Sequence, residues 1–129
     1  RLNRKFDTAR SLVPQPVVDE VDGARFGLIS YGSSHHAVVE GRDRLREQGI
    51  EFDYLRLRAL PVNDVTRDFV ACHERVYVFE NNTDGQMARL LHMEFPDLAG
   101  RVIPLAYLDG LPLTPARLVK MVLDKEGLA

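Results

Sequence analysis

Apolar and polar positions along the chain fall into repeated units: a short apolar run, a turn, and a longer stretch with helical periodicity. The first run is Phe26-Gly27-Leu28-Ile29-Ser30-Tyr31, ended by Gly32-Ser33-Ser34, and a helix is predicted over 35–48, closed by Gly49. A second strand is predicted over 52–60, stopped by Pro61, with a helix over 63–74 capped by Asn63 or Asp64. Arg75-Val76-Tyr77-Val78-Phe79-Glu80 is the clearest strand. Asn81-Asn82-Thr83-Asp84-Gly85 turns it into a helix over 86–95, which Pro96 ends. A fourth strand over 102–108 leads through Asp109-Gly110-Leu111-Pro112 to a last helix, opened by Thr114 as N-cap and Pro115 at the first helical position. Val17-Val18 adds a short edge strand.

Strands alternating with helices of this length specify βαβ units, hence an α/β fold with three α/β/α layers and a mostly parallel sheet of four to five strands. Right-handed crossovers place helices on both faces. Ahead of this, residues 1–16 carry Arg1, Arg4, Lys5 and Arg10 and then Val13-Pro14-Gln15-Pro16. The prolines favour an extended path, so 1–16 reads as a linker or extension from a preceding domain and 17–129 as a single domain. With Arg1 in first place the chain reads as a piece of something larger.

Composition narrows the function classes. The chain has 129 residues, 45% hydrophobic and 28% charged, enough for one domain with its own core. A formal net charge of -2 gives no basic excess for nucleic acid. No apolar run approaches the roughly 20 residues of a membrane helix, and no apolar segment follows the basic start as in a secretory signal. The single cysteine, Cys72, fits a reducing, cytoplasmic setting and supplies neither a disulfide nor a cluster.

In a sheet of this kind, ligands and partners meet the edge where strands end and helices begin. Four loops lie there: 32–36, 61–64, 81–86 and 109–114. Gly32-Ser33-Ser34 offers backbone N–H groups at a helix start, suited to a phosphate or carboxylate, with Ser33, Ser34 and His35 as the candidate residues. The simpler reading is a tight turn with a serine cap. His35 and His36 are adjacent, so they diverge on a helix and chelate poorly. In the loop 81–86, Asn81, Asp84, Gly85 and Gln86 are candidates for contact with a ligand or a neighbouring subunit. There the simpler reading is an Asp84 cap with Gly85 freeing the backbone. Val65, Phe69 and Cys72 share helical spacing, which predicts Cys72 in the core and His73 pointing elsewhere. Val38, Gly41 and Leu45 are predicted to face the sheet. No nucleophile–base–orienter set is visible, no residue is assigned to catalysis, and no metal or cofactor is assigned to this domain.

Four stretches together resemble one family. They are Leu28-Ile29-Ser30-Tyr31-Gly32-Ser33-Ser34, Tyr54-Leu55-Arg56-Leu57-Arg58-Ala59-Leu60-Pro61, Val76 through Gln86, and Tyr107-Leu108-Asp109-Gly110-Leu111-Pro112-Leu113-Thr114. In order and spacing they resemble the C-terminal domain of the α subunit of 2-oxoacid:ferredoxin oxidoreductases, nearer the 2-oxoglutarate than the pyruvate type. Gly41 stands where the family is expected to have alanine. The resemblance implies a transketolase C-terminal-like fold with a first strand antiparallel to the rest. It also implies a whole enzyme that uses thiamine diphosphate, magnesium and an iron–sulfur cluster to convert a 2-oxoacid and coenzyme A to acyl-CoA while reducing ferredoxin. Its partners would be the preceding domains of the same α chain and a β subunit, and this domain alone would be inactive. A flavodoxin-type nucleotide- or flavin-binding module, using Gly32-Ser33-Ser34 for phosphate, and the last domain of another thiamine enzyme are the alternatives. A signalling receiver would need acidic residues at the end of the first strand, and Phe26–Tyr31 offers none.

Overall fold

The computed structural model describes residues 2–128; Arg1 of the basic start and Ala129 of the predicted domain lie outside them. The elements in chain order are α1 (Leu2–Leu12), β1 (Val17–Asp19), β2 (Phe26–Tyr31), α2 (His35–Glu47), β3 (Phe52–Leu57), α3 (Asp64–Ala71), β4 (Arg75–Glu80), α4 (Gln86–Glu94), β5 (Val102–Ala106) and α5 (Pro115–Glu126). Short 3-10 turns, Gly32–Ser34 and Pro96–Arg101, precede α2 and β5.

The strands form one sheet in the order β1-β3-β2-β4-β5. β1 runs antiparallel to β3, with Val18 opposite Leu55, and the other neighbours are parallel. This is the predicted α/β/α fold, antiparallel edge strand included. Pro104 sits in β5 on the other edge, where a missing N–H leaves no ladder bond unmade.

Alternation along the strands builds two cores. Ile29, Leu55, Val76 and Val78 pack with Phe69, Val70, Met87, Ala88 and Leu91 from α3 and α4. Leu28, Tyr54, Tyr77 and Phe79 pack on the other face with Ala37, Val38, Leu45, Leu118 and Val122 from α2 and α5. Gly41 serves the second core differently from the prediction. It lies against α5 rather than the sheet, and a Cβ there would stand 2.5 Å from Leu118 Cδ2. The glycine therefore sets how closely α2 and α5 pack.

Local signals fix the helix starts as the sequence suggests. Asn63 accepts from Thr66 N at 3.3 Å, and Thr114 accepts from Arg117 N at 3.1 Å. At the far rim, Arg75 donates to both oxygens of Glu126, at 3.0 and 2.7 Å, and the Tyr77 hydroxyl donates to the same carboxylate. Burial and then that carboxylate push Tyr77 up to about 12.

Most of the stretch predicted to be an extended entry is helical. Pro14 and Pro16 restrict only themselves and the residues just before them, so nothing bars a helix up to Leu12. No residue of α1 is buried. Arg10 attaches it, donating to Val62 O on the loop after β3 and to Glu94 of α4 at 2.8 Å.

Candidate functional site

β2 is flanked by β3 on one side and β4 on the other, so the loops leaving β2 and β4 diverge to opposite faces of the sheet. A crevice at the carboxyl edge between two such strands is where this architecture places its sites. The candidate residues fall on both sides of it: Ser33, Ser34 and His35 where α2 begins, and Asn81, Asp84, Gly85 and Gln86 where α4 begins.

Glu80 is the centre of the α4 side. It continues the inward series Val76, Val78 along β4 and is completely buried. Its carboxylate accepts from Met87 N at 2.6 Å and Ala88 N at 3.0 Å, from the Tyr31 hydroxyl at 3.1 Å and from Asn82 Nδ2 at 3.0 Å. Asn82 Oδ1 accepts from the backbone N–H groups of Asp84, Gly85 and Gln86 at 3.2, 2.8 and 3.3 Å. Every N–H from Asp84 to Ala88 thus has an oxygen from the chain itself. The carboxylate also meets the positive end of the helix, its favoured place. Burial, followed by the Glu80 charge, pushes the Tyr31 hydroxyl above its ordinary pKa.

This corrects the predicted cap. Gly85, with φ +61, is the cap residue and lends no side chain; Asn82 and Glu80 do the work assigned to Asp84. Gly85 is needed twice, for its left-handed backbone and because a Cβ would lie 3.1 Å from Pro104 Cβ. With the backbone donors occupied, what this loop presents outward is the exposed side chains of Asn81, Asp84 and Gln86. Asn81 Nδ2 reaches Leu111 O at 3.5 Å, joining the loop to the one that follows β5.

On the α2 side, Ser30 is fully buried, and its hydroxyl lies 2.7 Å from the Tyr54 hydroxyl. His35 Nδ1 is 3.1 Å from the same Tyr54 oxygen, and the His35 ring stacks on Tyr54. Burial first, then the charges of Arg56 and His36, push the His35 imidazole below its ordinary pKa. The predicted serine cap does not form: Ser34 precedes α2 without a side-chain bond to the helix.

The opposite edge corrects another expectation. Cys72 is exposed and His73 is 3% exposed, the reverse of the predicted orientation. α3 ends at Ala71, so helical spacing no longer governs positions 72 and 73; the buried residues of the helix are Thr66, Phe69 and Val70. His73 Nε2 lies 2.8 Å from Asp53 Oδ2, and His73 Nδ1 lies 2.6 Å from Phe69 O. Asp53 Oδ1 accepts from Val21 N at 2.8 Å. Cys72 Sγ is 3.4 Å from His73 Nδ1, but the carbonyl of Phe69 is much closer to that nitrogen. Burial and then the Asp53 charge push the Cys72 thiol up, away from a reactive thiolate. This is a structural clamp tying the segment after β1 to β3 and α3.

The two glutamate and tyrosine partners at the crevice, Glu80 and Tyr31, were not among the predicted site residues, nor were Asn82, Tyr54 and Arg56. The signal for Glu80 was present: it occupies an inward position of an alternating strand, where a carboxylate needs donors. Among the described residues no three His, Cys, Asp or Glu side chains gather as metal ligands, and no helix is long and apolar enough to cross a membrane.

No protein-family profile matches the chain, and no curated protein matches it. Solved structures do. A 2-oxoglutarate:ferredoxin oxidoreductase from Magnetococcus marinus, solved with 2-oxoglutarate, coenzyme A and succinyl-CoA bound, is 29% identical over 95% of this chain, with a TM-score of 0.73. This chain spans 21% of that one. A split-gene transketolase, an inactive β4 tetramer, is 16% identical over 88% of this chain and 41% of its own, with a TM-score of 0.70. The α chain of a probable 2-oxoacid ferredoxin oxidoreductase from Thermoplasma acidophilum is 19% identical over 88% of this chain and 97% of its own, with a TM-score of 0.54. The latter two share the fold. The resemblance carried by the four loop motifs is thus borne out in three dimensions: the chain has the transketolase C-terminal-like fold and is similar over nearly its whole length to the 2-oxoacid:ferredoxin oxidoreductases.

Proposed function

We propose that this chain is the C-terminal assembly domain of the α subunit of a cytoplasmic, thiamine diphosphate-dependent 2-oxoacid:ferredoxin oxidoreductase of the 2-oxoglutarate type. The whole enzyme decarboxylates the 2-oxoacid oxidatively, passes the acyl group to coenzyme A and delivers the two electrons to ferredoxin. The similarity to an enzyme that holds 2-oxoglutarate and coenzyme A supports the type, and the transketolase-like neighbours favour this reading over a flavodoxin-type module.

The single observation that carries the assembly role is how the polar residues at the carboxyl edge are used. Glu80, Asn82 and Tyr31 turn inward and hold α4 to the sheet, while Asn81, Asp84 and Gln86 are left outward for a neighbouring domain or the β subunit. The described residues do not fit the cofactors of the whole enzyme. Cys72 stands alone as a thiol, and no cluster of carboxylates is assembled to hold magnesium diphosphate. No chemical step is therefore assigned to residues of this domain. Its part is to present a rigid, pre-shaped edge to the subunits that bind the cofactor.

Calorimetric titration of the chain with thiamine diphosphate and magnesium tests this division of labour. The expected result is no saturable heat. Micromolar binding would place the cofactor on this domain and contradict the assembly role.

A further inference from the structure

α1 gains little from the sheet and helices that follow it. None of its residues is buried. A helix of this length is marginal in water without packing against something else. Yet it is amphipathic: Leu2, Phe6 and Ala9 recur at helical spacing on one stripe. Phe6 is 56% exposed and forms one wall of a groove. Leu60 and Pro61, on the loop after β3, and Leu90, on α4, form the other wall. Met93, a turn beyond Leu90, is 78% exposed and extends the apolar surface across α4. A joined apolar surface of this kind, rimmed by charge, marks a contact with another protein.

The rim is basic. Arg10 pairs with Glu94 at 2.8 Å and lies 4.0 Å from Asp7, so both acids of the groove are already matched. Arg4 and Lys5 on α1, Arg58 on the loop leading to Leu60, and Arg89 beside Leu90 are exposed. None of the four makes an ion pair among the described residues. The outer face of α3 has the opposite character. Asp64, Val65 and Asp68 are exposed there, and neither acid is in an ion pair among the described residues. Asp64 and Val65 adjoin α1, lining a shallow depression with Asp7, Arg10 and Ser11. The basic groove and the acidic helix face therefore lie side by side on one side of the molecule.

We propose that this side is a contact between two copies of this chain, in which the outer face of α3 of each copy lies on the groove between α1 and α4 of the other. A two-fold contact needs complementary faces next to each other on one surface, so that each meets its counterpart twice. Phe6, Leu90 and Met93 supply the apolar centre, and the free basic side chains facing Asp64 and Asp68 fix the register. The inference does not depend on the reaction of the whole enzyme.

The test is sedimentation velocity of the chain over a range of concentrations, at low and high salt. A reversible dimer is expected, weaker at high salt because exposed charges hold its register. Arg4→Glu with Arg89→Glu makes the groove acidic, and Asp64→Lys with Asp68→Lys makes the α3 face basic. Both variants change only exposed side chains, and both are checked for a native circular dichroism spectrum. Each alone is expected to dimerise at least about tenfold more weakly, because like charges then meet. An equimolar mixture of the two is expected to recover the dimer, since in the mixed pair each groove again meets an α3 face of opposite charge. A monomer at every concentration would overturn the contact and leave the groove to a different protein. A dimer that neither charge reversal weakens, or folded variants whose mixture stays monomeric, would overturn it as well.

Discussion

Glu80→Ala is expected to lower the unfolding free energy of the chain by about 3 kcal/mol, because it leaves the buried donors Met87 N and Ala88 N without an acceptor. It also removes the oxygen to which Tyr31 and Asn82 donate. The loss is local in origin: the start of α4 loses its anchor to β4, and the loop 81–86 loses the frame that sets its outward side chains. Glu80→Gln keeps one carbonyl acceptor and should cost roughly half as much, since its amide nitrogen faces donors it cannot bond. Urea unfolding checks both, read as a shift in midpoint at unchanged slope. Hydrogen exchange at Met87 and Ala88 should accelerate in both variants. A cost below about 1 kcal/mol for Glu80→Ala would mean that these donors find other partners, and the crevice would not depend on Glu80.

The second large effect concerns the clamp on the opposite edge. Asp53 accepts from Val21 N and faces His73 Nε2, and both side chains are buried. His73→Leu leaves the Asp53 carboxylate with Val21 N but without its imidazole partner and is expected to cost about 3 kcal/mol. Asp53→Leu costs a similar amount, by orphaning Val21 N as well as the imidazole. The double variant should cost clearly less than the two added together, because each single change leaves a buried polar group without its partner and the double removes both. A double-mutant cycle with a coupling below about 0.5 kcal/mol would show that the pair is not a unit.

These two effects divide what the sequence could and could not tell. Element order, the edge strand at Val17-Val18 and the four carboxyl-edge loops follow from hydrophobic period and turn residues, which are local properties. Arg75–Glu80 was bounded correctly because its apolar run is flanked by unambiguous breaks. The site's connections are not local. Tyr31 meets Glu80 across the β2–β4 pairing, and Ser30 meets Tyr54 across β2–β3. Which strand lies beside which is set by the strand order, and no window of sequence contains it. Cys72 and His73 differ from the sequence expectation for another reason: α3 stops at Ala71, so the helical period that places Val65, Phe69 and Cys72 on one face does not reach them. At α4, turn chemistry points to the nearest acid, Asp84, while the capping comes from an asparagine in the loop and a glutamate in the preceding strand. In the α1 segment, the steric reach of Pro14 and Pro16 ends short of Leu12, so a helix forms over Leu2–Leu12.

If this chain is an assembly domain of a 2-oxoacid:ferredoxin oxidoreductase, the full-length protein that carries it has a measurable activity. The α subunit is produced together with its β subunit in the absence of oxygen, and viologen reduction is followed with coenzyme A and either 2-oxoglutarate or pyruvate. The expected result is reduction that requires coenzyme A and is faster with 2-oxoglutarate. No reduction with either acid, from a complex shown to hold thiamine diphosphate and iron, would rule the assignment out.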